Sequence, residues 1–363
     1  MQYKVIGLMS GSSLDGLDIV YAHFEEAAGK WSFEIRETAC VAYSPVLKEE
    51  LAGSAGLSAR DYLLLHTGFG RFLGEKVNEF IEEKGLAYQV QLIASHGHTS
   101  FHIPEKRMTA QLGDGAAIAA VTGIHTITDF RSSDIALGGQ GAPVVPIGEK
   151  LLFADYDLFL NIGGIANISL RQPEPMGFDV CPANRVLNLL AGDTEKGYDE
   201  DGQLASTGVV DEALLGGLNQ FDYYYKSFPK SLSNEFGLKE IYPFVLEAGL
   251  SRQDALRTYV AHIVSRVLEA AEQLIGTTGK EGGALKMLVT GGGAHNLFLT
   301  GQLKTALDAI GVEVIVPAAE LTDYKEALVI ALMGALRWRE EENVLSSVTG
   351  SGRNSINGAI WSS

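Results

Sequence analysis

The 363-residue chain has only two cysteines, Cys40 and Cys181. They form no CxxC pair and cannot build a disulfide framework, so a reducing compartment is expected. Positive charge is also scarce, with 28 Lys and Arg against 45 Asp and Glu and a net charge of −17. That balance opposes sequence-independent binding to nucleic acid or to an anionic membrane surface. An anionic small molecule stays admissible wherever backbone N–H groups supply a local positive field. No apolar run approaches the ~18 residues of a membrane span. The opening MQYKVIG lacks the basic and apolar regions of a signal peptide. A cytoplasmic protein is the expectation. Two nucleotide-binding signatures are missing as well. The nearest approach to a P-loop, GTTGKE at 276–281, has the wrong spacing and no strand before it, and no GxGxxG follows a strand.

Glycine, by contrast, is plentiful: 42 of 363 residues, about 12%, against a typical ~7%. Most glycines cluster, which indicates tight loops where backbone approaches a ligand. Apolar residues at 46% and charged residues at 20% fit an ordinary globular protein, and the length suffices for two lobes. Segments 3–9, 17–24 and 31–43 read as a strand meander by alternation. Ser44-Pro45 opens a helix, and a second helix from Ser58 to before Gly85 carries an apolar stripe from Tyr62 to Phe80. QLIASHGHTS reads as a strand entering a polar loop, GDGAAIAAVTG as a helix of small residues, and HTITDF as a strand. Near Asp157 the strand, glycine turn, strand pattern restarts with DLFLNIGGIANISL. The polar stretch 173–235 reads as poorly periodic helix or a functional lid. Ser251 and Asp254 start a long helix, KMLVTGGGAHN is a strand emptying into glycines, VEVIVP is one more strand, and 323–339 one more helix. Strands alternating with helices predict an α/β protein.

Three strand-to-glycine turns stand out: Gly11–Gly16, Gly163–Gly164 and Gly291–Gly293. Consecutive N–H groups in such turns can point at one anion. Two hairpins could grip a β/γ-phosphate from two sides, and a third loop could pass an adenosine. This order resembles the actin/hexokinase/Hsp70 ATPase superfamily. The resemblance narrows with GLMSGSSLDGLDIV, SHGHT, QLGDG, DFRSSDIALGGQGAPVVP, NIGGIANIS, GFDVCPAN, TGGGAHN and NVLSSVTG, in that order. These segments are similar to the anhydro-N-acetylmuramic acid kinase family over nearly the whole chain.

The resemblance implies a two-lobed actin/hexokinase-like fold, that is, duplicated ribonuclease H-like domains with an ATP cleft between the lobes. The expected division is 1–130 plus 340–363 for the N-terminal lobe and 131–339 for the C-terminal lobe. It implies an ATP- and Mg2+-dependent kinase that opens the 1,6-anhydro ring with water and phosphorylates O6, in cell-wall recycling. Gly11, Ser12, Ser13, Leu14, Asp15, Gly16, Leu17 and Asp18 would wrap the ATP phosphates, with Asn161, Gly163, Gly164, Gly291, Gly292, Gly293 and Asn296 completing the nucleotide site. Asp15 and Asp18 are acceptors that would hold the loop or the Mg2+ waters; capping the turn is an equal alternative for Asp15. Asp179 falls where the family places its catalytic base, and Glu326 matches an acidic helix start facing the sugar, compatible with a favourable helix-dipole position. Ser95, His96, Thr99, Gln111, Asp114, Arg131 and Asp134 would lie in polar loops around the sugar. Arg131 suits the lactyl carboxylate through a two-pronged grip; an ion pair with Asp129 or Asp134 is the alternative.

The chain departs from the family pattern at Val180, Cys181 and Ala183 where FDTGPGN is usual, at Asn188 for an aspartate and at His98 for a glutamine. The changes beside Asp179 put sugar specificity in question more than phosphotransfer. Cys181 reads as a small loop residue rather than a nucleophile, since no basic partner is evident. Two rivals remain. His96, His98 and His102 have metal-ligand spacing and raise a zinc hydrolase, and the altered loop after Asp179 raises a nucleotide-binding sugar sensor without chemistry. The partner expected is a small-molecule sugar, with no nucleic acid and no membrane; the oligomeric state, a homodimer included, stays open.

Overall fold

Strand β1 (Gln2–Ser10) turns back into β2 (Gly16–Ala27), which pairs with β3 (Lys30–Ala42) in the expected antiparallel meander. β4 (Leu92–Ile103) lies parallel to β1 and pairs on itself with β5 (Met108–Leu112). β6 (Thr126–Thr128) is parallel to β4, and the C-terminal strand Ala359–Trp361 closes that edge antiparallel to β6. A second meander, β7 (Leu158–Ile162), β8 (Ile165–Leu170) and β9 (Met176–Pro182), is extended on the β7 side by parallel β10 (Leu285–Thr290) and β11 (Val312–Ile315). The path β3-β2-β1-β4-β6 is thus repeated as β9-β8-β7-β10-β11. Three antiparallel strands followed by two parallel additions, made twice, is the duplicated ribonuclease H-like arrangement of actin/hexokinase-like ATPases.

This computed structural model describes residues 1–11, 14–171, 175–228, 230–277 and 284–363. They divide into unit 1, Met1–Phe153 with Tyr324–Ser363, and unit 2, Ala154–Asp323. The division differs from the expected one: residues 131–153 and 324–339 pack with unit 1. Close approaches explain it. A Cβ on Gly7 of β1 would overlap the backbone oxygen of Ala327, and one on Gly334 would come within 2.6 Å of the Ala94 Cβ. The helix Ala319–Trp338 therefore presses its part beyond Tyr324 directly onto β1 and β4. Asp134, fully buried, ties its own segment to the tail through Thr349 and Asn357.

Local signals behave as physical chemistry requires. The Ser44 hydroxyl accepts from the Leu47 N–H at 3.2 Å and caps Pro45–Ala52; Ser58 does the same for Ala59–Glu83, whose Phe69, Leu73, Val77 and Phe80 are buried in the unit 1 core. Ser251 and Asp254 bond reciprocally at the start of Arg252–Thr277, whose inner face fills the core of unit 2.

Two readings are corrected, and one strand is added. QLIASHGHTS does not leave its strand for a loop: β4 runs on to Ile103, because β5 supplies backbone partners from His98 to Ile103. The stretch 173–235 is not wholly helical, since it contains β9 before its short helices. The Ala359–Trp361 strand had no sequence signal; the Trp361 indole N–H anchors it on the Thr128 hydroxyl at 2.9 Å. Among the described residues no helix is long and apolar enough to cross a membrane.

Candidate active site

Asp179 sits on β9, not in a turn, opposite Asn167 of β8. The Leu232 N–H donates to its Oδ2 at 2.8 Å, the Tyr223 hydroxyl donates to its carbonyl oxygen at 2.5 Å, and its own N–H donates to the Lys230 carbonyl at 3.3 Å. Lys230 in turn places its ammonium 4.9 Å from the Tyr223 ring centre and 5.4 Å from that of Phe178. Burial raises the Asp179 carboxyl from 3.8 to about 6, partly offset by the Leu232 N–H. A carboxylate so placed is ionised at neutral pH yet basic enough to take a proton. Tyr223 and Leu232 also wall a cavity of about 550 Å3 with Phe221, Phe236 and Lys226.

The atypical residues beside this aspartate face the core. Val180 is 3% exposed, and Cys181 and Ala183 are fully buried. Burial pushes the Cys181 thiol up to about 12, so it is no nucleophile. Being buried, they touch the sugar question only through packing, whereas Asn188 is exposed.

Unit 2 gathers its glycine turns around Asn161 and Asn184. Gly291 adopts φ +84°, and a Cβ there would stand 2.5 Å from the Asn161 Oδ1, so only glycine fits. Asn184 donates from Nδ2 to the Ile162 carbonyl at 3.0 Å, and its Oδ1 lies 3.0 Å from the Cβ position of Gly293. Gly163 and Gly164 accept from the N–H groups of Asn184 and Ala183. Gly292 starts a single 3-10 turn, Gly292–His295. Asn296 differs from expectation in its side-chain oxygen, which caps the helix Leu297–Asp308 through the Leu299 N–H at 2.9 Å.

In unit 1, Gly11, Leu14 (φ +59°) and Asp15 bound the first hairpin turn, with Leu14 N–H reaching the Gly11 carbonyl at 3.4 Å. Ser12 and Ser13 lie outside the described residues. Gly16 opens β2 against Val41, and Asp18 is in register with Met9 and Cys40. Leu17 is 1% exposed, so only its backbone could reach a nucleotide. Beneath the hairpin, Tyr43 donates to the Ser10 hydroxyl at 2.8 Å, which lies 3.3 Å from His98 Nδ1.

The proposed sugar residues separate into distinct roles. The His96 Nδ1–H donates to the Gly97 carbonyl at 3.0 Å, which leaves Nε2 to accept from Arg131 Nε at 2.9 Å. Burial and the Arg131 charge hold His96 neutral, with its pKa lowered to about 3. Arg131 also donates to the Gly141 carbonyl at 2.7 Å. Burial lowers it to about 10, while the Glu326 charge raises it. Neither Asp129 nor Asp134 forms an ion pair with Arg131 among the described residues, so the structural alternative fails. Burial raises Glu326, against the pull of Lys325 and Arg131, and Lys325 itself pairs with buried Glu149 at 2.7 Å.

Others differ from expectation. Asp134 is fully buried, with Oδ1 accepting from Thr349 and Oδ2 from the Gly141 N–H, so it is a strut with no face left for sugar. Asp114 caps Gly115–Thr122 through the Ala116 N–H at 2.9 Å. Gln111 bonds Thr99 across the β4–β5 hairpin and Thr109 on its own strand, and Ser95 is 1% exposed with no partner for its hydroxyl. The zinc rival loses its ligand set: His96, His98 and His102 bond to Arg131, Ser10 and Thr109 respectively. Among the described residues no group of three His, Cys, Asp or Glu side chains is placed to hold a metal ion.

Sequence reasoning missed Tyr223, Lys230 and Leu232, which reach Asp179 from 44 or more positions away. It also missed Arg185 and the 2.5 Å contact of His295 with Asp323 behind the third glycine turn. Histidine and arginine next to GGGAH and CPAN were the only cues.

The profile of the family described as anhydro-N-acetylmuramic acid kinase matches residues 3–363. The chain is 31% identical to an anhydro-N-acetylmuramic acid kinase of Sulfurimonas denitrificans, covering 98% of each chain. It is 33% identical to one of Aliivibrio fischeri, covering 99% of each. Among solved structures, the activator of the 2-hydroxyisocaproyl-CoA dehydratase from Clostridium difficile with bound ADPNP is 15% identical. There 93% of this chain and 96% of that chain align at a TM-score of 0.44.

Proposed function

This chain belongs to the anhydro-N-acetylmuramic acid kinase family, and we propose that it phosphorylates anhydro-N-acetylmuramic acid from ATP while hydrolysing its 1,6-anhydro bond. Water attacks C1 and gives a proton to the Asp179 carboxylate. The C1–O6 bond breaks as O6 bonds the γ-phosphorus, and the bond from that phosphorus to the β,γ-bridging oxygen breaks, releasing ADP. The product is N-acetylmuramic acid 6-phosphate, which places the protein in peptidoglycan recycling in the cytoplasm. The observation that carries this reading is Asp179: a partly buried carboxylate raised to about 6, on the strand that follows the second glycine hairpin.

The remaining residues take roles that their chemistry permits. Backbone N–H groups of the Gly11–Asp18, Gly163–Gly164 and Gly291–Gly293 turns receive the nucleotide. Arg131, fixed by His96 and Gly141, grips the lactyl carboxylate, with Glu326 beside it ordering a sugar hydroxyl. Mg2+ fits as an ion carried on ATP, because kinase Mg2+ is held by one or two carboxylates plus phosphate oxygens rather than by a protein cage; Asp15 and Asp18 are the carboxylates on the first hairpin. When bound it neutralises phosphate charge. Phosphoryl transfer then depends mainly on positioning and electrostatics.

A coupled ADP-release assay with Mg-ATP and four arms tests this reading: anhydro-N-acetylmuramic acid, N-acetylmuramic acid, N-acetylglucosamine and no sugar. Release with the anhydro sugar alone supports it. Release with another sugar moves the specificity, and ATP binding without sugar-dependent release favours the sensor.

A further inference from the structure

We propose that Arg185 is a cationic clamp on the terminal phosphates of the nucleoside triphosphate at the second glycine hairpin, an assignment that rests on the kinase reading above. Arg185 lies in the first turn of the helix Asn184–Ala191. That turn is fastened to the hairpin by Ala183 N–H to Gly164 O at 2.8 Å and Asn184 N–H to Gly163 O at 3.0 Å. The guanidinium rests on Gly164, with Nε 3.5 Å and Nη2 3.8 Å from the position a Cβ would take. Its Nε is buried and has no hydrogen-bond partner. The Arg185 side chain makes no hydrogen bond or ion pair to any described residue, whereas the buried cation Lys325 is paired with Glu149. Arg185 as a whole is half-buried, and a buried Nε–H left without an acceptor is unfavourable unless a ligand completes it.

Surrounding features point to the same ligand chemistry. The Thr290 hydroxyl, 1% exposed and one residue before Gly291, also lacks a partner. Asn184, next in sequence to Arg185, bridges the second and third glycine turns. None of the three turns contains a lysine or arginine in a chain of net charge −17, so backbone dipoles alone would face a polyanion. A planar guanidinium meets two phosphate oxygens at once. Arg185 does not neutralise the base either, because burial and the Leu232 N–H alone shift Asp179. Positive charge fixed beside the hairpin would therefore stabilise the transferring phosphoryl group without quenching the base.

The test uses the full chain and two variants, Arg185→Gln and Arg185→Lys. Calorimetry measures binding of Mg-ATP, inorganic tripolyphosphate and adenosine, alongside kcat and the KM for sugar. Arg185→Gln is expected to weaken ATP and tripolyphosphate at least ~10-fold and to lower kcat, with adenosine affinity and sugar KM unchanged. Arg185→Lys, which keeps charge but loses the fork, is expected to fall between, and it serves if the Gln variant does not fold. ATP and tripolyphosphate affinities within about 2-fold of wild type in Arg185→Gln, or indistinguishable from wild type in Arg185→Lys, would overturn the clamp. If the wild type phosphorylates no sugar, the kinase reading fails while the polyphosphate comparison still decides Arg185. If wild type and Arg185→Gln turn over alike, only the clamp fails.

Discussion

Replacing Asp179 by asparagine should separate catalysis from stability within one molecule. The folded carboxyl titrates at about 6 against 3.8 for the ordinary group, because burial disfavours its charge. The folded state therefore holds this proton more tightly than the unfolded state does. The stabilising contribution is complete below about 3.8 and is lost as pH rises through about 6, so at pH 7 the ionised side chain opposes folding. The difference corresponds to roughly 3 kcal/mol at most, an upper bound for a carboxyl that is not wholly buried. Asparagine carries no charge and still offers an oxygen to the Leu232 N–H, although the weaker bond gives back about 1 kcal/mol. The variant should thus gain about 1–2 kcal/mol at pH 7, a rise in melting midpoint of about 1–3 °C for a chain of this length, and the gain should vanish near pH 4. Turnover should fall at least ~100-fold through loss of the general base, with ATP binding intact. In the wild type, kcat/KM should climb as pH rises through about 6. Thermal melts from pH 4 to 8 and the coupled assay check these outcomes together. Near-normal turnover, or a variant less stable than wild type at pH 7, would refute the reasoning.

Asp134→Ala strands the buried Gly141 N–H and removes the shortest of the Thr349 hydroxyl's bonds in a fully buried place and should cost about 2–4 kcal/mol, read as a lower urea midpoint. His96→Leu removes the acceptor that aligns Arg131; the sugar KM should rise about 10-fold, the size of one charge-assisted bond, while the KM for ATP stays put. Of the two cysteines, exposed Cys40 should react with a thiol reagent in the native protein, and Cys181, buried and raised to about 12, only after unfolding.

Much of the fold is legible in the sequence because its signals are local. Serine caps at 44, 58 and 251, the stripe from Phe69 to Phe80, and the glycine hairpins each depend on residues within a few positions. β9 was hidden because Gly177, Phe178 and Asp179 carry no β-branched run, and pairing with β8 rather than propensity makes them a strand. β4 was cut short because the Gly97 and His98 region looks like a loop until β5 supplies its partners. The site was half visible. Glycine turns and an aspartate can be placed by motif, but the support of Asp179 comes from Tyr223, Lys230 and Leu232, and that of Arg131 from His96. Side-chain destinations such as the Asp134 strut, set by Thr349 far along the chain, leave no trace in spacing.

The most direct test of the central claim is one turnover in water enriched in oxygen-18, followed by mass spectrometry of the sugar phosphate before and after phosphatase treatment. Label retained on the sugar, at the C1 hydroxyl, with an unlabelled phosphate is the predicted result: water opens the anhydro bond while O6 captures the phosphoryl group. Label in the phosphate, or ADP formed with the anhydro ring intact, would contradict it.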